Sequence, residues 1–169
     1  GLAGCDGGLA HRSLAEMSGD LPIGPEIRRV RLEIQAGTVG IAVHEARVVH
    51  FGGGMRRAAD TAEQLAAIEA LPIDPKAFVD PADATTMVVR GPHLVEGGPQ
   101  GVLAYEMGLL LPADLELEVV VEGSGGVTVV DRKAPLKVTT GRGDLRFERC
   151  TGGTKAYTGR GVVIAIDMG

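Results

Sequence analysis

Two tetrapeptides, Thr140-Gly141-Arg142-Gly143 and Thr158-Gly159-Arg160-Gly161, begin 18 residues apart, and around them every second residue is apolar. Before the first come Leu136 and Val138, and after it Leu145 and Phe147; Thr154 to Thr158 precede the second, and Val162 to Ile166 follow it. A period of two marks strands, because alternate side chains leave a strand on opposite faces. A unit of about 18 residues holding two short strands cannot cover its own apolar face, but stacked copies cover one another. The double period therefore predicts a solenoid, with each strand parallel to its counterpart in the next coil and glycines at the corners where positive φ is needed.

The same phrase occurs upstream. Val30, Leu32 and Ile34 lead through Gly37 to Val39, Ile41 and Val43; Leu115, Leu117, Val119 and Val121 lead through the turn at 122–126 to Val127 and Val129. In the last unit Val162, Ile164 and Ile166 run one residue out of step with Leu145 and Phe147, which predicts a bulge or an edge coil with both faces covered. The middle breaks the rhythm. Residues 55–71 (MRRAADTAEQLAAIEAL) put Ala58, Ala62, Leu65, Ile68 and Leu71 on roughly one helical face and end at Pro72 and Pro75, so a helix is expected there, inserted between strands. Strands are expected again at 85–90 and 101–111, with a Gly/Pro loop at 91–100 between them.

Glycine at 26 residues, aromatics at 3% and hydrophobic residues at 44% suit short aliphatic strands joined by glycine turns in one domain. A net charge of −5 removes the clustered basic footprint of a nucleic-acid binder. No run of about 18 uncharged apolar residues would span a bilayer as a helix.

The first residues, Gly1-Leu2-Ala3-Gly4-Cys5-Asp6, resemble the end of a bacterial lipoprotein signal, with small residues before a cysteine whose thiol accepts a diacylglyceryl group. Cys5 is then the lipid attachment site and the mature N-terminus. Several acyl chains, at about 0.8 kcal/mol per buried methylene, give a stable membrane anchor. Asp6 resembles an inner-membrane retention signal. Residues 6–26 are rich in Gly, Pro and polar residues without sustained period and read as a flexible tether. The division expected is thus 1–26 as signal remnant, lipobox and tether, and 27–169 as the repeat domain with a helical insertion at about 52–75.

Candidate sites are few. Cys150 follows an alternating run and reads as a small, semi-buried residue at a strand end. Arg142-Gly143-Asp144 spells an integrin-binding tripeptide, but Arg160-Gly161-Val162 holds the equivalent turn without the acid, so Asp144 reads as a turn residue. Gly52-Gly53-Gly54, between an expected strand and the expected helix with Arg56 and Arg57, matches neither nucleotide-binding fingerprint and reads as a flexible connection. His44 and His50, with Glu45 between them, lack the third and fourth ligands of a zinc site, and His11 and His93 stand alone. Asp131, Arg132 and Lys133 are adjacent and alternate between faces, so they do not converge as a catalytic cluster. Glu116 and Glu118 share a face opposite Leu115 and Leu117 and read as a solvated strand face. No catalytic residue, metal or cofactor is expected.

The segments VRLEIQAGTVGIAV (30–43) and LLLPADLELEV (109–119), with the turns at 143–145 and 161–163, resemble the bacterial putative-adhesin domains built from β-strand repeats, over about residues 27–169. The resemblance implies an all-β, right-handed parallel β-solenoid, here with one inserted helix, an envelope location, and a non-enzymatic adhesion or scaffolding role with a protein or glycan ligand. The helical insertion and the end at Gly169, within the repeat rhythm, depart from that pattern; the second suggests a further coil or cap. Two other classes fit a β-helix: a carbohydrate-active enzyme, which would converge three or more ionisable groups in one groove, and a periplasmic sensory domain that binds a partner protein.

Overall fold

The computed structural model describes residues 10–169, so Cys5 and the lipobox lie outside the described residues. The strands are β1 (His11–Pro22), β2 (Arg29–Ile34), β3 (Gly37–Val43), β4 (Val48–Ala59), β5 (Lys76–Asp80), β6 (Asp83–Arg90), β7 (Val102–Leu111), β8 (Glu116–Ser124), β9 (Val127–Val130), β10 (Leu136–Arg142), β11 (Leu145–Glu148), β12 (Thr154–Thr158) and β13 (Val163–Ile166), with a single helix α1 (Ala62–Glu69) among the described residues. They form a seven-stranded sheet, ordered β1-β4-β7-β3-β9-β11-β13, and a six-stranded sheet, ordered β12-β10-β8-β2-β6-β5. The protein is mostly β with one short helix.

From β8 onward the chain alternates between the sheets, and like strands pair in parallel. Leu145 sits opposite Val127 on one side and Val163 on the other, and Leu136 sits opposite Leu117 and Thr154. This register lines up inward side chains in rows: Ile41, Val129 and Phe147 in one sheet, Leu32, Val119 and Val138 in the other, all at most 2% exposed. Each such aliphatic or aromatic burial contributes about 1.5–3 kcal/mol relative to exposure.

The corner between the sheets explains the tetrapeptide. Thr140 Oγ1 donates to the carbonyl of Gly125, and Thr158 Oγ1 to that of Gly143, both at 2.9 Å. Gly143 has φ +148°, and a Cβ there would lie 2.2 Å from the Gly125 oxygen, so only glycine fits under the coil above. The opposite corner carries non-glycine residues in the left-handed region at the same spacing: Asp131, Arg149 and Asp167, with φ of 59°, 52° and 50°.

The other end of the stack corrects several expectations. The sheets are mixed rather than wholly parallel, because β1 and β7 both flank β4 antiparallel and β5 is antiparallel to β6. Residues 11–22, expected as tether, form β1, paired along its whole length with β4. The helix expected over 55–71 is confined to Ala62–Glu69; residues 55–59 belong to β4, where pairing on both edges outweighs the helix preference of an Ala-rich stretch. Helix α1 starts where Thr61 Oγ1 accepts the Gln64 N–H at 3.1 Å, and it buries Ile68. Gly52–Gly54 is not a connection but mid-strand. Gly53 has φ +134°, and a Cβ on it would meet the Glu106 oxygen at 2.1 Å.

Candidate functional site

Strand pairing gives the molecule two outer faces of different chemistry. On the seven-stranded sheet one register row runs Ser18, Gly52, Gly108, Gly40, Thr128, Arg146 and Ile164. Added Cβ atoms on Gly40 or Gly52 would meet nothing within 4 Å, so the middle of this face is bare backbone open to solvent. Side chains two residues away on each strand stand as rims, Glu16, Glu106, Thr38 and Asp144 on one side, Asp20, His50 and Glu148 on the other. Two adjoining depressions result, of about 630 Å³ (bordered by Thr38, Gly40, Thr128, Asp144 and Arg146) and about 600 Å³ (bordered by Leu14, Glu16, Ser18 and Gly54), and Glu106 borders both. Arg56 holds Glu106 at 2.8 Å, and His50 Nδ1 lies 2.7 Å from Asp20.

The outer face of the six-stranded sheet is instead covered by paired charges. Arg29 reaches Glu116, Arg31 reaches Asp80 and Arg90 reaches Glu33, each at 2.8 Å, while Lys137 and Glu118 are 3.8 Å apart. The guanidinium of Arg90 lies 4.9 Å above the Phe78 ring. The backbone N–H of Ala82 and then the Arg31 guanidinium hold the Asp80 carboxyl below the usual carboxylate range. Hydrogen bonds from Thr85 and Thr86 lower Asp83 to about 2. This face also has a depression of about 540 Å³, bordered by Arg29, Glu116, Glu118, Lys137 and Lys155.

The residues singled out from the sequence mostly take structural places. Glu116 and Glu118 share the outer face and pair with Arg29 and Lys137. Asp144 Oδ1 accepts the Val162 N–H at 2.9 Å and so closes the turn of the next coil. His44 bonds the Val48 carbonyl, and His50 bonds Asp20; the two are not brought together, and no group of three or more metal-ligating side chains occurs among the described residues. Arg56 and Arg57 flank no anion-binding helix end, since they lie in β4, where Arg57 bonds Ser13. Asp131, Arg132 and Lys133 diverge. Asp131 pairs with Arg149 at 2.6 Å at the corner, while Arg132 is fully buried. Cys150 is 2% exposed, its thiol directed at the Val129 carbonyl at 3.5 Å.

Arg132 is the residue that the sequence hid. Its guanidinium donates to the carbonyls of Pro112 and Leu115, bracing the loop that enters β8, and Nε has no partner. Burial pushes its pKa down. Flanked by two other charged residues, it has the sequence signature of an exposed turn.

No family model and no curated protein matches the sequence. Among solved structures the chain is similar to a putative cell adhesion protein from Clostridium sporogenes, with a TM-score of 0.48 and 9% identity over 90% of this chain and 99% of that one. It is also similar to a putative adhesin from Bacteroides fragilis, with a TM-score of 0.28 and 7% identity over 90% and 97%.

Proposed function

We propose that this chain is a non-enzymatic, adhesin-like binding or scaffolding domain of a bacterial cell envelope protein, with Cys5 as its lipid anchor and the parallel run β8–β13 as a β-solenoid. The observation that carries the binding role is the outer face of the seven-stranded sheet, where two adjoining depressions share Glu106 and lie over backbone that no side chain covers. A surface of this kind suits an extended protein or glycan ligand. The ligand runs across several strands and gains its contacts from carboxylates, hydroxyls and backbone rather than from one deep pocket. Rigid pairing of the strands beneath lowers the ordering cost of binding.

The test is an array of bacterial and host polysaccharides and extracellular matrix proteins, probed with the chain, with Gly40→Phe, which fills the open floor, and with Lys137→Ala on the opposite face. Binding lost in Gly40→Phe alone supports this face as the site; equal binding by all three removes it. Metabolic labelling with a fatty-acid probe, comparing the precursor with Cys5→Ala, tests the anchor, and equal labelling of the two sinks it.

A further inference from the structure

Strand β5 ends the six-stranded sheet. It pairs only with β6, so its other edge carries unpaired backbone groups. It is also the strand that overhangs the core: its first four residues are exposed, with Phe78 at 37% and Val79 at 50%. Its sequence, Lys76-Ala77-Phe78-Val79-Asp80, is complementary to itself when read in the opposite direction.

We propose that β5 is a homodimer interface, joining two copies of this chain edge to edge about a two-fold axis at Phe78, so that the six-stranded sheet runs on through its partner. Antiparallel pairing in that register satisfies all five positions at once. Each Lys76, which has no ion pair among the described residues, comes opposite the other copy's Asp80. Ala77 meets Val79 twice on the inner face, and the two Phe78 rings meet at the axis. Moving the register by one or two residues sets Lys76 against an apolar residue and loses the charge match. Asp80 already accepts from Ala82 and Arg31, at 2.9 and 2.8 Å, and a carboxylate retains lone pairs for a further ammonium. The bulge between Val79 and Asp80 falls at the strand end, so Ala77, Phe78 and Val79 pair regularly and each Lys76–Asp80 charge pair closes the interface across a bulge. One short strand per copy is smaller than a stable interface, so the dimer forms in proportion to concentration. Co-tethering on one membrane would raise that concentration locally.

Sedimentation equilibrium from micromolar to millimolar concentration tests this. The wild-type chain should dimerise, Lys76→Glu and Asp80→Lys should each remain monomeric, and an equimolar mixture of the two variants should recover the dimer, since each supplies the charge the other needs. Asp80→Lys also loses the Arg31 contact, so cysteine variants in a Cys5→Ser background give an independent reading. Phe78→Cys should cross-link across the axis on mild oxidation. Lys76→Cys should not, being roughly 13 Å from its own symmetry mate at strand rise, beyond disulfide reach. A wild-type chain that stays monomeric throughout, a Lys76→Glu chain that dimerises as wild type, or cross-linking of the Lys76→Cys variant without cross-linking of Phe78→Cys overturns the interface.

Discussion

The C-terminal run β8–β13 and the N-terminal segment β1–β7 line the same core with similar aliphatic rows, yet they close their sheets by different means. The first stacks like on like, with parallel pairs offset by 18 residues and the same corner built again one coil later. The second ends the stack with antiparallel strands β1, β4 and β5 and with helix α1, none of which repeats anything. The difference teaches that a corner packed directly on the preceding turn restricts residue identity, as at Gly143 and Gly161. A strand end capped by different neighbours instead tolerates glycine, alanine and polar residues wherever a neighbour fills the space. Gly19 shows this: a Cβ there would lie 2.7 Å from the tip of the Phe51 ring, which occupies the room its side chain gives up.

Perturbations of the repeated part should therefore cost most. Phe147→Ala, in a row between Val129 and Ala165, should destabilise by about 3–5 kcal/mol in denaturant unfolding; a loss under about 1 kcal/mol would mean that the coils are not packed as one core. Next in size, Gly143→Ala should cost about 2–3 kcal/mol from the left-handed φ and the Gly125 clash, while Gly40→Ala, with open space above it, should stay within about 0.5 kcal/mol. Equal effects at the two glycines would erase the distinction between corner and face. At the unrepeated end, Thr61→Ala should cost about 1 kcal/mol through the lost cap of α1 and should leave the β8–β13 amides as protected from hydrogen exchange as before. The smallest effect concerns Asp83, whose pKa is lowered from 3.8 to about 2 by Thr85 and Thr86. A carboxylate lowered on folding stabilises above its ordinary pKa and loses that contribution as pH falls from about 4 through about 2. Side-chain NMR should place the Asp83 midpoint near 2, and Asp83→Asn should flatten the acid response of the β5–β6 turn; a midpoint near the ordinary value refutes the assignment.

The parallel pairing of β8–β13 is largely legible in the sequence, because alternation and the Thr-Gly-Arg-Gly spacing follow from the bridges made at the two turns. The out-of-step residues of the last unit are not legible. A bulge or a covered edge coil is expected there, but β13 pairs with β11 without a register shift, and Val163, Ile164 and Ala165 are all exposed, since no strand covers this end of the sheet among the described residues. Val163 and Ala165 continue the inner rows opposite Leu145 and Phe147, which turns Val162 and Ile164 outward, 58% and 41% exposed. Strand β1 was hidden because its inward positions are Ala15, Met17, Gly19 and Leu21, too small and mixed to show a period without knowledge of Phe51. The stretch 55–59 reads as helix but forms the end of β4, because alanine serves helix and close strand packing equally. The open face could not be read at all: Gly40, Gly52 and Gly108 are far apart in the chain, and only the order β4-β7-β3 sets them side by side.

The threonine bridges at Thr140 and Thr158 have an evolutionary corollary. Each reaches back 15 residues to a carbonyl that the preceding turn presents in the same way, so the two donors are interchangeable. Excising residues 141–158 would seat Gly159-Arg160-Gly161 directly behind Thr140, with its acceptor already in place, and shorten the molecule by one strand spacing of roughly 4.8 Å. Unequal crossing-over within such a gene can thus change the number of stacked strand pairs while keeping the threonine bridge, at the loss of the Asp131–Arg149 pair.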